Sequence, residues 1–397
     1  MSRFKDGAHT DVLVIGGGII GLGLAWRTAQ RGLRVTVVDP AHGGGAAQVA
    51  AGMLAPVTEL QYGEEPLLRL GIASNTRYAD FCAELTELTG LDTGYRATGT
   101  LAVALDADDK AELSELHAFH QRLGLDSQWL TGREARRLEP MLAPGIRAGL
   151  HVADDHQVDG RRLSTALVRA CELAGVGLLR AEAVELLVEG DRARGVRLGT
   201  GTGVPPVEGW GTLTADQLVL AAGSRSHLLP GLPADLIPAI RPVKGQILRL
   251  RIPQPYAPFL SRNVRAVVRG GHLYMVPRAD GELVIGATSE EQGYDTTVTA
   301  GGVYELLRDA HELVPGITEL PLVETSAGLR PGSPDNAPLL GPTALPGLAV
   351  ATGHYRNGVL LTPVTADLLA EYLATGAVPA LATPFSPSRF RVLETSS

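Results

Sequence analysis

The sequence predicts a mixed α/β fold, α+β in overall make-up, in which a parallel-sheet domain is interrupted by a second domain built on an antiparallel sheet. Three observations carry that reading. A strand–helix–strand unit opens the chain, β-rich segments separated by turn signals fill residues 242–288, and a βα pattern returns after residue 347. Length and composition agree. With 397 residues, 45% of them hydrophobic and 20% charged, the chain can bury a core in one or two domains, which excludes disorder and a collagen-like fibre.

Residues 11–15 are a short β-rich run that stops at Gly16, and residues 19–31 read as a helix closed by Gly32. Residues 34–39 make the second strand. Tyr78, Phe81, Leu85 and Leu88 fall at helical spacing before Gly90, and Leu113, Leu116, His120 and Leu123 repeat the pattern behind an aspartate-rich start. Thr131 and Glu134 have capping-box spacing, so helices are expected to dominate the region after the first unit. A helix over 159–173 leads to a strand at 176–179, and residues 216–223 read as a buried strand ending in glycine; both strands can return to the first sheet. Residues 199–206, repetitive in Gly and Thr, read as a mobile hairpin tip. The segment 242–288, with its Asp280-Gly281 turn signal, is the inserted antiparallel sheet; a strand at 347–352 and a helix from about 357 to 374 complete the chain. The expected division is 1–85, 156–235 and 326–397 for the first domain, and 86–155 and 236–325 for the second.

A net charge of −8, from 43 acidic against 35 basic residues, supplies no global field for nucleic acid or an anionic membrane surface. Cys82 and Cys171 make neither a disulfide framework nor a CxxC, and no Cys/His cluster implies a metal. A reducing, cytoplasmic compartment is expected, with no metal centre. The longest apolar stretch, residues 12–26, holds 15 residues and five glycines, short of the roughly 18 that suggest a membrane span. Arg3 and Lys5 ahead of it imitate a secretory leader, but Asp6 and Asp11 also precede it and the glycines fit a structural role.

Those glycines carry chemistry. Gly16, Gly18 and Gly21 fit GxGxxG between a strand and a helix, and Asp39 stands 18 positions beyond Gly21 at the end of the next strand. Gly16 permits the tight turn, Gly18 lets backbone approach a pyrophosphate, Gly21 allows close helix–strand packing, and Asp39 can accept a ribose hydroxyl. NAD and FAD share this Rossmann-like fingerprint. The Gly- and Ala-rich segment 42–53 favours FAD, because small residues let amides lie against a flavin and its phosphates; an ordinary flexible loop is the other reading.

Several segments together resemble the FAD-dependent amine oxidoreductases of the D-amino-acid oxidase superfamily, and within it the glycine oxidases (ThiO) of thiamine synthesis. They are VIGGGIIG ending at Gly21, AAGML ending at Leu54, PVKG ending at Gly245, YMVPR from Tyr274 to Arg278, GAT ending at Thr288, AGLRPG ending at Gly332, and GHYRNGVLL beginning at Gly353. The resemblance runs over nearly the whole chain. It implies a Rossmann-like FAD-binding domain, a substrate domain whose antiparallel sheet covers the flavin, and a homotetramer. Carried over residue by residue, Ile19, Ile20, Asp39, Pro40, Ala46, Ala47, Ala51, Gly52, Met53, Val184, His354, Tyr355, Arg356, Asn357, Gly358, Val359 and Leu360 would line FAD; Arg330 and Arg356 would meet substrate. The family often carries hydroxyl residues where Ala46 and Ala47 stand, so backbone contacts must suffice there. No cysteine follows Cys171, so a noncovalent flavin is expected.

Oxidising an amino acid requires its α-hydrogen aimed at flavin N5, a neutral amine and a fixed carboxylate. Arg330 can supply the last by a bidentate contact, Tyr274 can orient the substrate through its hydroxyl, and Met53 can wall the pocket. His272 and Lys244 are weaker candidates. The start of the last helix near Asn357 could set its dipole against the reduced flavin, with His354 filling the preceding turn. The function so implied is oxidation of glycine, with sarcosine and small D-amino acids as further substrates, to an imine or glyoxylate, ammonia and hydrogen peroxide, with oxygen as partner and iminoglycine supplied for the thiamine thiazole. Two alternatives stay open: a D-amino-acid dehydrogenase passing electrons to a quinone, and a non-catalytic FAD-binding protein.

Overall fold

The computed structural model describes residues 8–199, 211–268 and 270–390. Ala8–Ile15 forms the middle of the first sheet, parallel to Val35–Val38 on one side and to Thr212–Leu220 on the other. Gly177–Leu179 and Leu348–Thr352 extend it in parallel, and Leu339–Pro342 closes one edge antiparallel. The hairpin strands Glu182–Glu189 and Arg192–Gly199 attach to Thr212–Leu220. The hairpin tip expected at 199–206 lies, beyond Gly199, outside the described residues, as do Arg3, Lys5 and Asp6.

Alternation along the opening strand serves two cores. Val12 and Val14 pack with Leu22 and Trp26 of helix Ile19–Gln30, Leu167 of helix Gly160–Leu173 and Val364 of helix Thr362–Thr375. Leu13 and Ile15 face the opposite way, against Val196, Leu218 and Leu220. A sheet covered on both faces explains why Val35–Val38 is apolar or β-branched and buried at all four positions.

The second sheet has eight strands: Leu322–Gly332 at one edge, then Arg241–Arg251, Glu282–Gly286, Gly271–Pro277, Asn263–Val268, Thr100–Ala104, Ala148–Val152 and Gln128–Thr131. It is antiparallel except where Asn263–Val268 runs parallel to Thr100–Ala104. Leu248, Leu250, Ile285, Leu283 and Met275 line one face and pack beneath Leu306, Ala310 and Leu313 of helix Ala300–Leu313. By the two-residue period, the other face carries Gly245, Ile247, Tyr274, Gly286 and Arg330, and it is turned toward the first domain.

Three findings modify the sequence reading. The region expected to be dominated by helices does hold Glu65–Thr89, Ala107–Arg122 and Gly132–Leu138, the last opened by the Thr131/Glu134 capping box, but it also gives three strands to the second sheet. Leu322–Gly332 runs through the boundary set at 325/326 and stays paired with Arg241–Arg251, so the second sheet continues to Gly332. The last helix starts at Thr362 rather than near 357. Residues 355–357 are a 3₁₀ turn entered through Tyr355 at φ +48°, and Pro363, having no N–H, can sit only in the first turn of the helix that follows.

Candidate active site

The dinucleotide turn is built as its glycines require. Gly16 has φ +111°, and a Cβ there would stand 2.5 Å from the Ala221 carbonyl oxygen; a Cβ on Gly21 would collide with the carbonyl of Gly16. Gly18 faces open space, its nearest neighbour being the Gly44 oxygen at 3.9 Å, and it caps the helix whose first N–H groups belong to Ile19 and Ile20. Asp39 accepts the Gly17 N–H at 2.7 Å on one oxygen and the Ala41 N–H at 2.6 Å on the other. The carboxylate is thus locked in orientation, while each oxygen keeps a lone pair for a ribose hydroxyl. Pro40 follows it at the surface.

The Gly- and Ala-rich loop shows a one-sided use of its backbone. Gly43 O accepts Gln48 Nε2 at 2.6 Å, Gln48 O accepts Arg161 Nε at 2.8 Å, Ala51 O accepts Arg278 Nη2 at 2.5 Å, and Gly52 O accepts Val158 N at 2.9 Å. The N–H groups of Ala46, Ala47, Ala51 and Gly52 have no acceptor among the described residues, although Ala47, Ala51 and Gly52 are buried. Buried amides without acceptors are rare, and a row of them suits the oxygens and nitrogens of a dinucleotide. The residues present therefore fit FAD through backbone donors, even without hydroxyls at Ala46 and Ala47.

A second set of free amides follows the last strand of the first sheet. Val359 O accepts the Tyr78 hydroxyl at 2.5 Å and Leu360 O the Ser74 hydroxyl at 2.6 Å, while the N–H groups of Gly358, Val359 and Leu360 find no acceptor among the described residues. His354 is buried, with Nε2 3.1 Å from Thr365 Oγ1, and burial pushes its pKa down to about 3. Its ring fills the turn in neutral form, so His354 can offer a cofactor only backbone. The side chain of Val184 packs on Gly199 of the neighbouring strand.

On the inner face of the second sheet, Tyr274 lies across Gly286, where a Cβ would penetrate its ring, and Arg330 lies over Gly245, where a Cβ would come 2.5 Å from Nη2. Arg330 Nη1 donates to Thr288 O at 3.1 Å, and no carboxylate reaches ion-pair distance of it among the described residues. Burial raises the pKa of the Tyr274 hydroxyl while the adjacent Arg330 guanidinium opposes the rise, so the phenol is protonated and can donate near neutrality. Met53 joins Tyr274, Ala51, Ile247, Val276 and Val284 in a small apolar cluster that seats the loop on this sheet.

Arg356 is placed differently from Arg330. Its Nη2 donates to Glu59 O at 3.1 Å and to Glu64 Oε2 at 2.9 Å, and the Glu59 carboxylate lies between it and Arg265, 3.9 Å from Arg356 Nε and 3.6 Å from Arg265 Nη1. Of the two arginines expected to meet substrate, Arg330 alone is free of acidic partners among the described residues. His272 shares the face of Tyr274 but is exposed, whereas Lys244 lies on the opposite face, paired with Glu290 and Asp295. The only metal-type grouping among the described residues, His9, Asp11 and Asp216, lies at the surface, with Asp11 ion-paired to Arg34 at 2.5 Å.

The dinucleotide turn joins the Gly- and Ala-rich loop through Gly43 N–H on Gly17 O at 2.8 Å, that loop lies against the second sheet where Val49 faces Gly328, and the sheet reaches the last turn where Gly332 bridges His354. The family model for FAD dependent oxidoreductases (DAO) matches residues 11–372. The chain belongs to this family of FAD-dependent oxidoreductases. It is similar to the bifunctional protein ThiO/ThiG of Synechocystis, 37% identical over 96% of this chain and 54% of that protein, so it spans about half the length of such relatives. A crystal structure of glycine oxidase from Geobacillus kaustophilus matches with a TM-score of 0.87 at 34% identity, covering 97% of this chain and all of that one. The hydrogen cyanide synthase subunit HcnC of Pseudomonas aeruginosa is 31% identical over 96% of both chains. FAD is the cofactor of this family member, and no helix among the described residues is long and apolar enough to cross a membrane.

Sequence reasoning missed the buried or half-buried charges around the site. Arg278 stood in a quoted motif without a role, yet its spacing of four from Tyr274 already places both on one sheet face. Arg161, Arg249, Arg265 and Glu59 gave no comparable signal, because their partners come from distant parts of the chain.

Proposed function

We propose that the protein oxidises glycine, with sarcosine and small D-amino acids as further substrates. Bound FAD supplies a two-electron hydride acceptor. Arg330 holds the substrate carboxylate with its planar fork, and the neutral Tyr274 hydroxyl donates to the same carboxylate, so the α-carbon is aimed at the cofactor side of the sheet. Met53 and Tyr274 wall the pocket and limit the α-substituent. The substrate loses a hydride from its α-carbon and a proton from its amine; water then converts the imine to glyoxylate and ammonia, and dioxygen takes up the electron pair as hydrogen peroxide.

The single observation that carries this reading is the unpaired Arg330 guanidinium beside Tyr274, since mere cofactor binding needs no carboxylate clamp. Likeness to proteins named glycine oxidase and ThiO/ThiG supports glycine as substrate and iminoglycine for thiamine thiazole synthesis as the product's use. Likeness to proteins named hydrogen cyanide synthase subunit gives the product a second possible fate, and a quinone in place of oxygen remains the rival acceptor. The flavin is held noncovalently, Cys82 and Cys171 being buried thiols with pKa values pushed up to about 11 and 12. A homotetramer in the cytoplasm completes the proposal.

The test is anaerobic flavin bleaching by glycine, sarcosine, D-alanine and D-phenylalanine, followed by oxygen uptake and assays for peroxide and cyanide. Fastest bleaching by D-phenylalanine would overturn the glycine reading. Bleaching without oxygen uptake would move the assignment to a quinone-linked dehydrogenase. Because hydride loss needs the neutral amine, the reduction rate should rise with pH, and a flat profile would sink that step.

A further inference from the structure

In the loop 46–53 the residues Ala46, Ala47, Ala51 and Gly52 carry no polar side chain, so what they can present to FAD is set by the aim of their backbone. Three arginines hold that backbone, Arg249 and Arg278 from the second sheet and Arg161 from the helix Gly160–Leu173. Arg278, 7% exposed, spends its Nη1 on Gln157 Oε1 at 2.9 Å and Val158 O at 3.0 Å and its Nη2 on Ala51 O at 2.5 Å. Arg161 Nε donates to Gln48 O at 2.8 Å, and Arg249 Nη2 approaches the same oxygen at 3.4 Å. Gly52 is pinned as well: it has φ +69°, lies against Val158 O where a Cβ would overlap, and accepts Val158 N at 2.9 Å. A peptide unit is planar, so fixing its carbonyl on one side directs the following N–H to the other. For Ala51 O the following N–H is that of Gly52, which is left without an acceptor among the described residues, whereas Gln48 O is followed by the Val49 N–H, which closes the turn on Ala46 O at 3.2 Å.

We propose that Arg278 is a positioning residue for the cofactor: it binds Ala51 O from the sheet side and so aims the Gly52 N–H at FAD, while Arg161 and Arg249 anchor the turn that carries the loop through Gln48 O. The same groups tie that aim to the substrate clamp. Arg278 follows Tyr274 by four residues on one sheet face. Arg161 pairs with Glu324 at 2.5 Å, and Glu324 precedes Arg330 by six residues on one face of Leu322–Gly332. Arg249 pairs with Glu282 and lies 3.9 Å from Glu324. Cofactor loop and substrate arginine are therefore held by one rigid sheet, which fixes the distance between them. Arginine suits this task because its fork reaches three acceptors at once, which an ammonium on a flexible stem does with poorer geometry.

The proposal rests on the FAD assignment, and the experiment separates the two. Apoprotein of the wild type, Arg278→Met and Arg278→Lys is titrated with FAD by flavin fluorescence quenching; each reconstituted protein is then scanned in the visible, and each apoprotein is melted. Arg278→Met should bind FAD roughly tenfold more weakly, as expected when buried acceptors lose their donor. It should also shift the flavin absorption bands at saturating FAD, and Arg278→Lys should recover part of both effects. Wild-type affinity and spectrum in Arg278→Met would overturn the proposal, as would a loss of affinity that merely follows apoprotein melting with an unchanged spectrum. If Arg278→Met gives no folded apoprotein, Arg278→Lys must itself show weaker binding and shifted flavin bands, and unchanged affinity and spectrum there are equally fatal. A wild-type apoprotein that ignores FAD would instead remove the cofactor assignment on which the proposal stands.

Discussion

Most arginines on the inner face of the second sheet meet a carboxylate: Arg249 meets Glu282, Arg265 approaches Glu59, and Arg278 lies 4.0 Å from Asp159. Arg330 does not, and two glycines prepare its surroundings, Gly245 beneath the guanidinium and Gly286 beneath the Tyr274 ring. Arg330→Lys keeps the charge and loses the planar fork, so kcat/KM for glycine should fall by roughly 10²-fold, visible as slower anaerobic flavin reduction and a raised half-saturation. Gly245→Ala tests the same point from below. Its Cβ would meet only the far end of the Arg330 side chain, which can move while the strand stays. We expect a similar rise in the glycine concentration for half-saturation with a near-wild-type melting temperature; unchanged glycine kinetics would mean that the guanidinium position is not critical. Arg330 and Tyr274, which we propose face substrate, could be singled out in the sequence because they sit in short motifs, AGLRPG and YMVPR. Glu59 could not, since nothing local announces a carboxylate whose partners are Arg265 and Arg356.

At the scale of elements, the parallel sheet was readable from continuous apolar strands ending in glycine, and the antiparallel sheet from its turn signals. Thr100–Ala104 and Ala148–Val152 were not. Each is five residues long, their burial pattern is nearly continuous, and a short apolar run of that kind has no period to separate it from helix. The last helix was foreseen but misjudged in its start, because the turn over 358–361 is held by tertiary partners. Tyr78 and Ser74 of helix Glu65–Thr89 occupy the carbonyls of Val359 and Leu360 and leave the amides free. Tyr78→Phe removes one of the two donors to Val359 O, which also accepts Thr362 N at 3.2 Å, at a cost of about 0.5–1.5 kcal/mol seen in chemical unfolding. It should also weaken FAD retention during dialysis, because the turn loses its anchor. Full FAD retention would show that the turn holds its shape without Tyr78.

Across the whole molecule, two buried histidines sit where the domains join. His120, on the helix Ala107–Arg122, donates from Nε2 to Val57 O at 3.0 Å and so holds the segment that carries Glu59; burial pushes its pKa down to about 4. His354 lies on the first domain's last turn, where it bridges Gly332 at the end of the second sheet. Both are neutral when folded and would take up a proton near their ordinary value of about 6.5 when unfolded. Their contribution to stability is complete above about pH 6.5 and is lost as pH falls toward 4 and 3. Asp155 acts in the opposite sense. Burial pushes its pKa up to about 7, against hydrogen bonds from Val57 N, Thr58 N and Thr58 Oγ1, so its contribution is present in acid and is lost as pH rises to 7. Between pH 6.5 and 4 these two histidines refuse a proton on folding, as do His151, His156, His227 and His272, whose pKa values desolvation also lowers, while Asp155 and Glu139 accept one early, so on balance acid should destabilise the fold, the join included. His120→Gln keeps a donor for Val57 O and removes one refused proton. At fixed FAD, the urea midpoint of the wild type should fall from pH 6.5 to 4, and that of His120→Gln should fall markedly less. Equal slopes would mean that His120 is not the group through which acid reaches the domain junction.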